Sequence, residues 1–319
     1  MTGRMWVVER LLSEPQLMRN NAMEYISTKQ AADKWGISQR RVRTLCEQGK
    51  IAGVIRAGKS FSIPADAKKP TDGRFRELSL AEIYEKIEVK KQELNKCRPF
   101  TKGELERLNE DFMIEYTYNS NAIEGNTLTL RETALVLRGM TIDKKPLREH
   151  LEATQHRDAF YHVCDLVSKK VPLTEKTIKD IHSIILNDRP TDRGVYRNMP
   201  VRISGSTHIP PNYVKIPELM KDLISWYGKT KPTVKQIAEL HIRFECIHPF
   251  IDGNGRIGRL LANLELMKIG YPPVDIKYAD RKEYYDSLNE FDLIGKTDRF
   301  EYMFATYVLE RIEDYCKIL

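Results

Sequence analysis

The sequence predicts a mainly α fold preceded by a small basic module. Three observations carry that expectation. Apolar residues recur at helical spacing through most of residues 80–319. Strand-like patterning is limited to two stretches, one near 51–64 and one near 193–216. Residues 24–70 hold ten Lys/Arg against four acids, so +6 of the chain's net +7 sits in one short segment. The length of 319 residues can bury a sizeable core, and 41% hydrophobic with 30% charged residues is ordinary for a soluble globular chain. No apolar run approaches the roughly 18 residues needed to span a bilayer. The first residues lack a signal peptide's apolar core and cleavage site, so no membrane partner is expected. Five scattered cysteines without a CxxC pair point to a reducing cytoplasm and against a zinc or disulfide framework.

Taken in order, residues 1–22 show no clear periodicity and are read as a leader or disordered segment. Residues 23–67 read as a winged helix-turn-helix domain. Ser27 or Thr28 caps a first helix through Ala31, Ala32 and Trp35, and Gly36 ends it. Ser38 caps a second helix over 39–48, and two short strands, 51–55 and 60–64, flank the turn Arg56-Ala57-Gly58-Lys59. The second helix carries Gln39, Arg40, Arg41 and Arg43 near its start, where a recognition helix meets base edges and phosphates. This stretch resembles excisionase and MerR-like modules. The resemblance implies DNA as a partner, with Gln39, Arg40 and Arg43 as contacts; a protein-docking module of the same shape is the alternative. Residues 68–79 read as a linker.

Helices follow at 80–97 and 104–120, separated by Pro99 and Gly103. Residues 127–186 look helical, with breaks near Gly139, Lys145-Pro146 and Val171-Pro172, and Thr174 caps the last helix. His150, His156 and His162 recur every six residues, share no helix face as i,i+4 ligands would, and are assigned no metal. Residues 193–216 alternate like a hairpin around a Gly/Ser turn. A helix over 217–227 and another through Ile237, Leu240, His241 and Phe244 deliver the chain to His248. His241 is expected in the core. Gly270-Tyr271-Pro272-Pro273 stops the helix after the motif, and a last helix is expected over 297–317.

The chemistry concentrates in His248-Pro249-Phe250-Ile251-Asp252-Gly253-Asn254-Gly255-Arg256-Ile257-Gly258-Arg259. Gly253-Asn254-Gly255 frees the backbone to turn and lets N–H groups approach an anion. The apolar run Ile257, Leu260, Leu261, Leu264 opens a helix whose N-terminus suits phosphate. Arg256 and Arg259, three apart, add donors on one face. Asp252 would repel phosphate unless it holds Mg²⁺. His248 could take a proton from an attacking hydroxyl.

These residues match the HxFx(D/E)GNGRxxR signature, and the chain resembles the Fic family. The resemblance implies that residues 80–319 form a Fic-type helical bundle with an active-site loop at 248–259 and a flap at 200–211 that lays a target segment alongside the site. It implies transfer of AMP from ATP, with Mg²⁺ on Asp252, to a Ser, Thr or Tyr hydroxyl of a target protein or of the chain itself. His248 is then the base, and Gly253, Asn254, Gly255, Arg256 and Arg259 hold the phosphates. Asn263 and Tyr285 would contact adenosine. Ser120-Asn121-Ala122-Ile123-Glu124-Gly125 matches the family's (S/T)xxxE(G/N) inhibitory motif, at 120–125. The match implies that Glu124, with Ser120, occupies Arg259 and blocks productive ATP binding. Two alternatives stay open: a de-AMPylase using Glu124 and His248, and a DNA-binding transcription regulator that senses nucleotide. A homo-oligomer is also left open.

Overall fold

The computed structural model describes residues 25–35, 38–58, 60–67, 78–203, 208–229 and 231–319. The chain divides into two compact units, Met1–Glu77 and Leu78–Leu319. Residues 1–24, most of the expected linker (68–77) and the tip of the expected flap (204–207) lie outside the described residues.

The first unit runs β1 (Tyr25–Ser27), α1 (Thr28–Trp35), α2 (Gln39–Glu47), β2 (Ile55–Ala57) and β3 (Ser60–Pro64). Ser27 and Gln30 form a reciprocal cap that starts α1: Gln30 N–H donates to Ser27 Oγ (3.3 Å) and Ser27 N–H to Gln30 Oε1 (2.9 Å). Ala31, Ala32, Trp35, Val42, Leu45, Ile51 and Ile63 form the core. The sheet order is β1-β3-β2, antiparallel throughout. Two expectations change. Strand β1 was not foreseen. The strand expected over 51–55 begins only at Ile55, because Ile51 turns into the core and Gly53, at φ +73°, bends the chain against Pro64.

The second unit is helical. Its elements are α3 (Leu80–Lys96), α4 (Lys102–Ile123), α5 (Leu130–Leu137), α6 (Leu147–Ser168), α7 (Glu175–Ile185), α8 (Ile216–Tyr227), α9 (Val234–Ile247), α10 (Asn254–Lys268), α11 (Arg281–Ile294) and α12 (Asp298–Ile318). Side-chain caps start five of them. Ser79, Thr101, Thr129, Thr174 and Thr233 each accept from a backbone N–H in the first turn, and Glu82, Glu104, Glu132 and Gln236 complete four of these caps. The Thr101–Glu104 cap overrides the break expected at Gly103, so α4 starts at Lys102. At its other end α4 runs on to Ile123. Helix α10 is buried on every side from Asn254 to Leu266 and forms the centre of the bundle, against α9, α6 and α7. Among the described residues no helix is long and apolar enough to cross a membrane.

Of the hairpin expected over 193–216, the described residues, 193–203 and 208–216, contain no strand. Pro200, Pro210 and Pro211 cannot donate to a ladder. Arg197, 5% exposed, joins the two arms instead. Its Nη1 donates to Met199 O (3.1 Å) and its Nη2 to Pro211 O (2.6 Å).

Candidate active site

Helix α9 ends at His248, whose φ of +48° and ψ of 60° place a non-glycine residue in the left-handed region. That conformation turns the chain sharply into the loop before α10. Four hydrogen bonds, two from Arg197 and two through Asn254, hold the turn there. Arg197 Nε donates to His248 O (2.9 Å), and Arg197 N–H donates to Pro249 O (3.0 Å). The Asn254 carboxamide brackets Phe250, its Oδ1 accepting from Phe250 N–H and its Nδ2 donating to Phe250 O, both at 2.9 Å. Phe250, fully buried, stacks on His182 with centroids 3.7 Å apart and planes 8° apart.

His182 is a support that the sequence pattern conceals. Its Nδ1 accepts from Gly194 N–H (2.8 Å), so its proton sits on Nε2, which donates to Asp252 O (3.2 Å). Burial depresses its pKa to about 4, so it stays neutral. Gly253, at φ +80°, then starts α10. Its positive φ favours glycine, and an added Cβ would also crowd Ile185 Cγ2 at 3.1 Å. The amides of Asn254, Gly255 and Arg256 follow without intrahelical acceptors, as at any helix start.

Arg259, one turn further and 3% exposed, points back toward α4. Its Nε donates to Ser120 Oγ (3.0 Å), and its Nη2 to Ser120 O (2.8 Å) and Glu124 Oε1 (2.7 Å). Burial opposes the Arg259 charge, but Glu124, Tyr284 and Glu245 together outweigh it and raise the pKa above the usual value. Gly255 makes room for Glu124: a Cβ there would stand 2.1 Å from Glu124 Oε1. Ser120 and Glu124 lie four apart at the end of α4, which aims both at one guanidinium.

His248 is pulled down to about 4, chiefly by burial, so the imidazole is neutral at physiological pH and able to accept a proton. Asp252 sits among three guanidiniums: Arg256 at 3.1 Å, Arg189 at 2.9 Å and Arg148 at 3.4 Å. Burial works against its charge, but Arg256, Arg189, the Gly253 N–H and Arg148 hold its pKa below the ordinary carboxylate value. Glu245, one turn before His248, has Oε1 buried without a partner. Burial, then Glu124, raises its carboxyl to about 8.

A cavity of about 710 Å³ opens over this loop, lined by His248, Asp252, Gly253, Asn254, Gly255, Arg256, Glu124 and Tyr285, among others. A second cavity of about 790 Å³, lined by residues such as Asp111, Glu115 and Glu310, contains none of the motif residues, so size does not locate the chemistry. Tyr285 lines the first cavity while its hydroxyl donates to Ile123 O (3.2 Å). Arg259 and Ser120 do not line it; they lie behind Glu124.

Two expected nucleotide contacts change. Asn263, 1% exposed, is absent from the cavity wall. Its carboxamide pairs with the backbone of Val274, donating to its oxygen (2.9 Å) and accepting from its N–H (2.8 Å), and so staples the segment after α10 to the helix. The Asn254 side chain is likewise committed to Phe250, leaving only its main-chain N–H for a phosphate. His241 is in the core as expected, hydrogen-bonded to Tyr284 OH (2.8 Å) and stacked on Phe300. His208 is structural. It bridges Asp292 (2.5 Å) and Cys246 O (2.8 Å), fastening the segment after 204–207 to α11 and α9.

No cluster of three or more His, Cys, Asp or Glu able to hold a metal occurs among the described residues. Asp252 fits Mg²⁺ in another way: a single hard carboxylate donor on the wall of this cavity suits an ion that would bring phosphate and water ligands with it.

In the first unit, Arg40 and Arg43 are exposed on α2. Gln39 Nε2 donates to Thr28 Oγ1 (3.0 Å), which ties α2 to α1 and occupies a side chain expected at DNA.

Residues 172–266 match the Fic/DOC family model. The chain is 35% identical over 216 residues to protein adenylyltransferase Fic of Nematostella vectensis, across 66% of this chain and 50% of that protein. It is 36% identical over 197 residues to protein adenylyltransferase fic-1 of Caenorhabditis elegans, across 59% and 38%. The chain thus spans half the length, or less, of these curated relatives. The solved structure of Fic-1 from C. elegans superposes with a TM-score of 0.66 at 31% identity, covering 75% of this chain and 72% of that one. A Fic-domain-containing signaling protein from Bacteroides thetaiotaomicron gives 0.67 at 29%, covering 73% and 96%.

Proposed function

The chain belongs to the Fic/DOC family, and on that premise we propose that it is a protein adenylyltransferase held at a low basal rate by its own Glu124. One observation carries the reading: the Arg259 guanidinium is bound by Glu124 and Ser120, behind the wall of a cavity that holds His248 and the start of α10.

In this reading ATP lies with its phosphates over the first amides of α10, and Tyr285 is at the adenosine side. Mg²⁺, arriving with ATP, would be held by Asp252 and would neutralise phosphate charge. His248 Nδ1 or Nε2 removes the proton from a Ser, Thr or Tyr hydroxyl. That oxygen bonds to the α-phosphorus, the bond to the β-phosphate bridging oxygen breaks, and pyrophosphate leaves. The protein contributes alignment and fixed positive charge. A phosphate needs Arg259, and Glu124 occupies it, so ATP binds without the contact that aligns it. The target segment lies along 200–211, whose arms Arg197 and His208 anchor.

Labelling with α-phosphate-tagged ATP tests the reading. The parent labels itself weakly, Glu124→Gly strongly and His248→Ala not at all. Absence of labelling in Glu124→Gly, with its fold intact, rejects the transferase; release of AMP from a modified target, lost in Glu124→Ala, would assign removal instead. For the first unit, exposed Arg40 and Arg43 on a basic module favour DNA, and salt-sensitive binding weakened by Arg43→Ala is the corresponding test.

A further inference from the structure

Three arginines surround Asp252, yet only Arg256 belongs to the motif loop. Arg189 (2.9 Å) and Arg256 (3.1 Å) already supply close partners for both carboxylate oxygens. Arg148 is the third and most distant, at 3.4 Å, with its side chain 62% exposed. Its position does not follow from helix stability. It is the second residue of α6, where the helix dipole disfavours a cation. Its i,i+4 pairing with Glu152 (2.8 Å) runs in the less favourable order, base before acid. Arg148 nevertheless lines the same cavity as Asp252 and the start of α10. The other motif arginine, Arg259, is unavailable behind Glu124.

We propose that Arg148 is a phosphate-binding residue of this site, one that leaves Asp252 for the outer phosphates of the nucleotide and so supplies the charge that Glu124 withholds by occupying Arg259. The inference rests on the adenylyltransferase reading of the site. A polyphosphate beside Asp252 would attract the Arg148 guanidinium and offer it bidentate acceptors, and a cation held by Asp252 would weaken that carboxylate's hold on Arg148. Arg189 keeps its hold on the loop, so Asp252 does not lose its orientation when Arg148 moves. Glu152 holds Arg148 by Nε, leaving its two terminal nitrogens able to turn toward phosphate.

Calorimetric titration of the full chain with inorganic pyrophosphate, without Mg²⁺ and then with it, tests this independently of turnover. The parent binds pyrophosphate in both buffers. Arg148→Ala weakens that binding about tenfold, the scale of one charge-assisted contact, and leaves adenosine binding unchanged. Arg148→Lys, which keeps the charge and the helix, restores part of the loss and serves if the alanine variant does not fold. Unchanged or tighter pyrophosphate binding in Arg148→Ala would make Arg148 a mere counter-ion of Asp252 and overturn the proposal, as would no pyrophosphate binding by the parent in either buffer. Parallel labelling separates the two ideas. If Glu124→Gly transfers AMP while pyrophosphate binding ignores Arg148, this inference fails alone; if Glu124→Gly transfers nothing, the transferase reading fails.

Discussion

Replacing Glu124 should trade stability for activity, and both magnitudes follow from the geometry. Arg259 is 2% exposed at its side chain and Glu124 33%. Removing a carboxylate from a fully buried pair costs about 3–5 kcal/mol. Here the acid is one-third exposed, and Ser120 keeps two bonds to the guanidinium, so about 1–2 kcal/mol is the expected loss. For a unit of this size that lowers Tm by roughly 2–8 °C. The gain lies on the reaction path. A freed Arg259 can make a charge-assisted contact to phosphate worth about 1.5–3 kcal/mol, which is roughly 10- to 100-fold in rate if it is made in the transition state. Glu124→Ala removes the charge without adding the conformational freedom of glycine, and Glu124→Gln keeps a weaker neutral contact. The expected order of initial labelling rate is therefore parent, then Gln, then Ala, with Tm falling in the same order. Calorimetry and a time course of labelling read both. An alanine variant that melts several degrees lower yet labels no faster than the parent would show that Glu124 is a structural partner of Arg259 and not a brake.

Four further outcomes follow from the same contacts. Asn263→Ala should lower stability by about 2–4 kcal/mol, since it leaves two buried backbone groups of Val274 without partners, while the KM for ATP stays at the parent value. Gly258→Ala would bring a Cβ to 2.2 Å from Glu245 Oε1 and 3.1 Å from the His241 ring, so a Tm drop equivalent to about 1–3 kcal/mol is expected by calorimetry. His248 and His182 each have a pKa near 4 when folded, below the free value of about 6.5. Between those values the unfolded chain binds more protons at these two sites, so their contribution to stability in denaturant titrations should be fully present above about pH 6.5 and lost as pH falls toward 4, whereas the raised Glu245 carboxyl acts in the opposite sense up to about pH 8. For the same reason, the acidic limb of the labelling rate should fall near pH 4 and not near 6.5, and a limb at 6.5 would count against a buried base.

The loop was legible because its chemistry is contiguous: base, carboxylate, glycines and arginines fall within twelve residues, and each residue type is explicable at its spacing. Four helix starts carry an equally local signal that the sequence reading leaves unused, which is why the start of α4 is expected at 104 and found at Lys102. Ser or Thr followed three residues later by Glu or Gln is a local signal, and it marks α3, α4, α5 and α9. The supports of the site have no such signature. His182 lies 70 residues before the backbone it holds, and Arg197 lies 51 before His248, so nothing in their neighbourhood distinguishes them from surface polar residues. Alternation over 193–216 predicts a ladder that the described arms do not contain, since prolines there lack donors and the buried Arg197 joins the arms. Asn263 differs in the opposite sense: the family resemblance implies an adenosine contact, and the backbone of Val274 is its partner instead.

The same distinction explains why the motif does not act alone. Every motif side chain that could meet a phosphate is tied to another group: Asn254 to Phe250, Arg256 and Asp252 to each other, and Arg259 to Glu124 and Ser120. These ties come from α4 and from within the loop, whereas the remaining cation at Asp252 on the cavity wall, Arg148, comes from α6. On the proposed reading, activation would amount to an exchange of partners among charges already in place. An exchange of that kind predicts non-additivity. If Arg148 substitutes for Arg259 while Glu124 is bound, Arg148→Ala should weaken ATP more in the parent than in Glu124→Gly, where Arg259 is free. Equal losses in the two backgrounds, measured as a double-mutant cycle, would mean that the two arginines serve different groups.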